Sequence, residues 1–273
     1  TGEDQISPVL PKQFPDISYG RRQSVEESVL VALGDNMRYH VPGDDALGMS
    51  WAETDFDDAS RDSGPGGIGV ARKFAPPLTE LIATDIGEIM QGVNASMVAR
   101  LSFDAADVES IDTLSLHIHY EDGFVAFLNG ARVASHNAPD NLLFNSRATS
   151  SRTVASVLTG DRFLIEDHRN RLRVGRNVLA IQGLNNSISS TDFLLHPALN
   201  SVRLIEKDPR ILEFFEVATP GLPNGDGSPA VAQLPVADTA DGILTAPSRL
   251  PLTSPDGGEI HFTRGDDMSF ELY

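Results

Sequence analysis

The chain is expected to fold as an all-β protein, an antiparallel β-sandwich, and three observations predict it. Leu114, Leu116, Ile118 and Tyr120 alternate with Ser115, His117 and His119, the period of two that marks a strand with one buried and one wet face. Asn129-Gly130 separates FVAFL (124–128) from ARVASHN (131–137), and Asn-Gly is the strongest short-range hairpin signal because a tight primed turn needs positive φ at both central positions. Apolar runs bounded by turn residues then recur roughly every 10–15 residues with almost no helical spacing, which favours a sandwich over βαβ units.

Taken in order, residues 1–24 are rich in Pro, Gln and Asp without periodic pattern and read as an extended N-terminal segment. Strands follow at VLVAL (29–33) and MRYHVP (37–42), then a loop holding Trp51 and an acidic cluster. SGPGGIGVA (63–71) is too glycine-rich for helix, and its glycines suit turns or close backbone approach. TELIATDIGEIMQ (79–91) predicts one short helix: Leu81, Ile82, Ile86, Ile89 and Met90 fall at helical spacing, with Thr79 as N-cap. Further strands are expected at 96–103, 112–120, 124–129, 132–137, 161–166, 177–185 and 193–205. The sandwich therefore spans 25–206. A Pro/Gly/Asp-rich connector covers 207–242, and 243–273 is a strand-forming segment too short for a core of its own. That last segment is expected to add to the sandwich or to a neighbouring domain or subunit.

Composition narrows the function. With 273 residues, 40% of them hydrophobic, the chain can bury a sizeable core. A formal charge of −18 repels phosphate backbones and anionic lipid surfaces, so nucleic acid is not an expected partner. No apolar run reaches the roughly 20 residues needed to cross a bilayer, so membrane insertion is not expected either. Thr1-Gly-Glu-Asp is no initiator and no charged-then-apolar start follows, so the chain is expected to be a mature product or a fragment. It has no cysteine, which removes disulfides and thiolate chemistry without assigning a compartment.

The order of the motifs carries a resemblance. Trp51 and Phe56-Asp57-Asp58 are followed by GGIG (66–69), the Ile82, Ile86, Ile89, Met90 spacing, MVARLSF (97–103), YEDGFVAFLNG (120–130), GRNVLAIQGLN (175–185) and STDFLLHPAL (190–199). This order resembles the galactose-binding-like jelly-roll modules of planctomycete-type secreted and surface proteins, which also carry lamin-tail-like and CotH-like domains. LPKQFPDISYGR (10–21) resembles the close of a lamin-tail-like domain, and ATPGLPNGDG (218–227) the segment that follows it. The resemblance implies a jelly-roll sandwich in an extracellular protein, and a structural calcium is common in related jelly rolls. The chain departs from the pattern at Arg61, where an aromatic residue usually stands, and at Val70, where the family has tyrosine.

Candidate chemistry is sparse. Asp55, Asp57, Asp58 and Asp62 are the metal candidates, since Ca2+ takes six to eight hard oxygen ligands; without EF-hand spacing, Asp57 and Asp58 equally suit turn capping. Asp122 suits a sugar hydroxyl or an Asp-Gly turn, and Asn129 the left-handed turn position. Trp51 suits stacking on a pyranose face if exposed, or a core plug. Asn185 and Asp192 bound a polar loop between the last two strong strands, a common place for recognition in such folds. His117 and His119 share one strand face and suit zinc or copper only with a third ligand that the sequence does not reveal; they are expected to line the solvated sheet face or meet a covering segment, and the remaining histidines, His196 among them, read as ordinary polar residues. Asn94-Ala-Ser96, Asn185-Asn-Ser187 and Arg264-Gly-Asp266 match short motifs that recur by chance. GxSxG, HExxH and a P-loop are absent.

The expected protein is a non-catalytic secreted or cell-surface module that binds polysaccharide through Trp51, Asp122, Asn129, Asn185 and Asp192; the resemblance implies a structural Ca2+ without locating it, and the aspartate loop is its candidate place. The alternative is a self-assembling subunit of an extracellular filament, sheath or coat, whose partners are further subunits joined by strand addition through 1–24 and 243–273.

Overall fold

The computed structural model describes residues 17–21, 23–71, 76–206, 212–216, 227–228, 230–231, 236–237, 252–255, 257, 260–262 and 271–272. Its strands begin with β1 (Ser18–Arg21), β2 (Gln23–Val31), β3 (Asn36–His40), β4 (Asp62–Pro65), β5 (Ile68–Ala71) and β6 (Thr84–Asp85). The central strands are β7 (Ser96–Ala105), β8 (Thr113–Glu121), β9 (Gly123–Leu128), β10 (Ala131–His136), β11 (Asp161–Ile165), β12 (Gly175–Leu184) and β13 (Asp192–Glu206). After them come β14 (Leu212–Phe215), β15 (Val236–Ala237), β16 (Leu252–Thr253), β17 (His261–Phe262) and β18 (Glu271–Leu272). Three short helices, α1 (Pro76–Thr79), α2 (Gly87–Met90) and α3 (Val154–Thr159), lie between strands.

Val25–Leu204 forms one compact unit, and the residues flanking it on both sides form another. In the flanking unit β1 pairs antiparallel with β14, and the rings of Tyr19 and Phe214 stand 4.7 Å apart. β15 pairs with β16, and β17 with β18. Most of 1–24, of the 207–242 connector and of 243–273, on which strand addition would depend, lies outside the described residues.

Val25–Leu204 is an antiparallel β-sandwich of jelly-roll type. One sheet runs β10-β9-β12-β7-β3-β4; the other runs β11-β8-β13-β5-β6, with β2 also on β13. The inner faces meet through Met97, Leu101 and Phe103 of β7, Leu116, Ile118 and Tyr120 of β8, and Phe124 and Leu128 of β9. The unbroken apolar runs of β9 and β12 have a separate cause. The outer face of their sheet is also covered, with Val98, Val125, Phe127, Val178 and Ala180 packed under Trp51 and Ala52. The turn after β9 has φ of 50° at Asn129 and 88° at Gly130, the two positive values that Asn-Gly predicts.

The single helix expected over 79–91 is replaced by α1, a turn, β6 and α2, and Thr79 ends α1 instead of capping a helix. The glycines before it are the reason. Gly67 has φ of 85°, and a Cβ there would lie 2.1 Å from the Leu81 carbonyl oxygen; one on Gly69 would lie 2.5 Å from that of Phe193. Without side chains, β5 comes close enough to take the segment as a strand: Ala83 and Thr84 donate to the Gly67 carbonyl and Ile86 to that of Gly69. Backbone groups spent on β5 are not available to a helix. The pairing is parallel, and Ile89, counted on the apolar helix face, is exposed.

Of the two expectations for the outer side of β8, a solvated face or a covering segment, the structure has the covering segment. Ser115, His119 and Glu121 are buried: α3 lies over His119, and Arg162 of β11 donates to the Ser115 hydroxyl at 2.6 Å. Thr153 caps α3, its hydroxyl accepting from the Ser156 amide at 3.2 Å, and Gly160 ends it at φ of 69°. Thr153-x-x-Ser156 and Gly160 were the sequence signals for this helix, too short for any periodicity to show.

Candidate functional site

The residues singled out in the sequence fall into separate places. Trp51 is 3% exposed, its ring edge-on to Phe127 at 5.6 Å. Asn129 spends its amide inside the fold. Its Nδ2 donates to the Arg171 carbonyl at 2.7 Å and to Asn177 Oδ1 at 2.8 Å, while its Oδ1 accepts from the Val178 amide at 2.9 Å.

The acidic loop is organised by a guanidinium. Arg100 of β7, 4% exposed, donates from Nε to Asp58 at 2.7 Å. It also donates to the carbonyls of Trp51, Glu53 and Phe56 and stacks 5.2 Å from the Phe56 ring. Asp57 caps a turn by accepting from the Ala59 amide, Asp55 is exposed, and Asp62 sits on β4 opposite Tyr39. The four aspartates are therefore not drawn together. Among the described residues no group of three or more His, Asp or Glu is placed to hold a metal ion.

Asp122, Asn185 and Asp192 do meet, at one end of the sandwich. Asp122 is 1% exposed; its Oδ1 accepts from the Arg152 amide and its Oδ2 from the Asn186 amide, each at 3.0 Å. Asn185 donates to the Asp192 carbonyl at 2.5 Å, and Ser190 to the Asp192 carboxylate at 2.6 Å. These contacts clamp loops to strand ends. Beside them Glu121 is buried, with Oε2 lacking a partner. Its carboxyl is pushed up to about 9, by burial first and then by the bond to Asp122 and the charges of Asp122 and Asp192.

A cleft opens over the outer face of the first sheet, with a volume of about 210 Å³. Its walls are Leu47, Met49 and Trp51 on one side and Leu142, Leu143 and Phe144 on the other, with Val98 and Gln182 beneath and Asp45 at the edge. Buried polar side chains from β7, β12 and the stretch just before β7 fix these walls. Asn94 donates to the Pro42 carbonyl at 2.7 Å and to that of Phe144 at 3.2 Å, tying one wall to the other. Gln182 donates to the Leu143 carbonyl at 2.8 Å, and Ser96 to that of Ser146 at 2.5 Å. Ser96 and Gln182 escaped sequence reading because polar residues in a strand look like solvent-facing ones until a loop covers them, and Asn94 because it lies in the irregular stretch before β7. Met49 and Leu143 are 42% and 54% exposed, apolar side chains held at the lips.

A third histidine joins the pair on β8. His196 stands opposite His119 in register, with ring centroids 6.0 Å apart, and His119 is 5.1 Å from His117. Only strand pairing reveals it, because His196 lies 77 positions after His119 in the chain.

No protein-family model matches the chain, and a search of curated proteins finds no match. Among solved structures it is similar to a glycosyl hydrolase family 2 member from Bacteroides cellulosilyticus, at 13% identity over 66% of this chain and 21% of that one, TM-score 0.38. A β-glucuronidase from Ruminococcus gnavus in complex with D-glucaro 1,5-lactone has 13% identity over 71% of this chain and 31% of that one, TM-score 0.36. A β-glucuronidase from Bacteroides uniformis has 12% identity over 65% of this chain and 18% of its own, TM-score 0.39. The chain thus spans less than a third of each of these enzymes.

Proposed function

We propose that the chain is a non-catalytic binding module that seats one sugar ring of a polysaccharide in the Trp51–Leu143 cleft, as part of a larger secreted or cell-surface protein. The cleft is the observation that carries this reading. Its volume of about 210 Å³ is below the roughly 300–1,000 Å³ of sites for drug-sized ligands and suits a single ring. A pyranose has an apolar C–H face and a polar rim, which matches apolar walls with Asp45 at hand. Cleavage of a glycosidic bond takes two opposed carboxyl groups, and Asp45 is the one acidic residue among those lining the cleft. The charge of −18 favours neutral over anionic glycans.

The test is titration calorimetry of the chain against neutral and anionic polysaccharides, repeated with Met49→Asp and Leu143→Asp. Both side chains sit at the exposed lips, so thermal stability should stay within a degree or two while affinity falls about tenfold or more. Equal affinity of both variants and the native chain, or no binding to any polysaccharide, would sink the proposal.

A further inference from the structure

Two of the three histidines, His117 and His119, lie against α3, and His196 stands beside His119 on β13. His119 is 9% exposed, and its Nδ1 lies 3.0 Å from the Val157 carbonyl of α3, a bond that the imidazole makes as donor. Both ring nitrogens of His196 are buried without a partner. A Cβ on Gly160, the residue that ends α3, would lie 3.1 Å from His117 Nε2 and 3.1 Å from His119 Cε1. The end of the helix therefore rests directly on two of the rings.

Among the described residues no anion stands free to receive a proton's charge there. On β8 the same face carries Ser115, His117, His119 and Glu121, and the Glu121 carboxyl keeps its proton to about pH 9. On β11, Arg162 is opposite His117 and adds positive charge. On β13 the neighbours are Ala198 and Asn200, and Glu27 of β2 is taken by Arg162 and Asn200. α3 contributes no ionisable side chain. Arg152, just before it, donates to the Ser156 carbonyl and pairs with Asp161 at 2.7 Å. Burial lowers the affinity of His196 for a proton, and His119 and His117 add to the effect.

We propose that α3 is an acid-released cover: protonation of His196, whose buried ring nitrogens have no partner and whose ring stands beside His119, detaches the helix from the sheet and bares the apolar patch of Leu78, Val157 and Leu194. Those three side chains are at most 1% exposed and form a cluster of their own. An opened form lets His196 take up a proton at its ordinary value of 6.5, and the closed form resists it. Stability of the closed form is therefore present above pH 6.5 and is lost as pH falls below it, up to about tenfold per pH unit for each proton taken up. The Arg152–Asp161 tether does not share this dependence near pH 5. Burial raises the Asp161 carboxyl, but its bonds to Tyr120 and Arg152 outweigh that and hold it below its ordinary 3.8.

Amide hydrogen exchange at pH 7.5 and 5.0, expressed as protection factors, tests this. Val157 and Gly160, whose amides donate to Thr153 and Ser156, should lose about tenfold or more of their protection at pH 5.0 while β12 keeps its own. In the His119→Asn, His196→Leu double variant the asparagine amide can still reach the Val157 carbonyl and neither residue titrates. There α3 should stay protected at both pH values. Equal protection of native α3 at both pH values overturns the proposal, as does an equal loss in the double variant.

Discussion

Asp122 has a backbone amide for each carboxylate oxygen, whereas Oε2 of Glu121, next to it, is buried with none. The pair shows why side-chain roles were harder to read than side-chain positions. Asp122 stands out in the sequence as an Asp-Gly turn residue at a strand end, but its partners lie 30 and 64 residues further along. Nothing local tells a loop-clamping carboxylate from one that meets a ligand. The uncompensated Glu121 has a measurable consequence. The folded chain holds its proton up to about pH 9, while the unfolded chain releases it near 4.5. Its contribution is therefore fully present below pH 4.5 and declines as pH rises toward 9, by at most about 1.4 kcal/mol per unit. Glu121→Gln keeps the shape without the titration. Urea midpoints at pH 5 and 8.5 should show the variant gaining on the native chain at the higher pH; parallel changes would mean that the buried carboxyl is already ionised.

At the level of elements, long periodic strands were legible and short ones were not. Leu114 to Tyr120 and FVAFL announce β8 and β9 because period and turn chemistry agree. The 79–91 segment shows true helical spacing at Ile82, Ile86 and Met90, and it was overridden by bare glycine backbone on β5, a feature of another part of the chain. The cleft was illegible for a related reason: its walls are loops with no period, joined through Asn94. That residue accepts from the Ser96 amide at 3.0 Å and donates to two carbonyls, one on each wall. Asn94→Ala should therefore cost about 2–4 kcal/mol, with two carbonyls and one amide left to find other partners. Chemical denaturation reads the cost, and glycan affinity should fall with it because the walls lose their fixed spacing. A loss below about 0.5 kcal/mol would mean that water replaces the bonds without penalty.

For the whole molecule, the division at Val25 and Leu204 predicts that the excised segment 25–204 folds alone. It should unfold in one cooperative step with intact near-ultraviolet signal; a broad transition would show that the sandwich needs its flanking residues. The sandwich also manages its sheet borders. β6 has two residues, β4 has four and ends in Pro65, and β10 is irregular between Arg132 and Ala134. The longer β2 carries Glu26 and Glu27 along an exposed stretch. Short, kinked or charged borders give another chain's backbone little to hydrogen-bond to. Copies of this sandwich crowded together on one surface should therefore slide past one another without fusing into cross-β deposits.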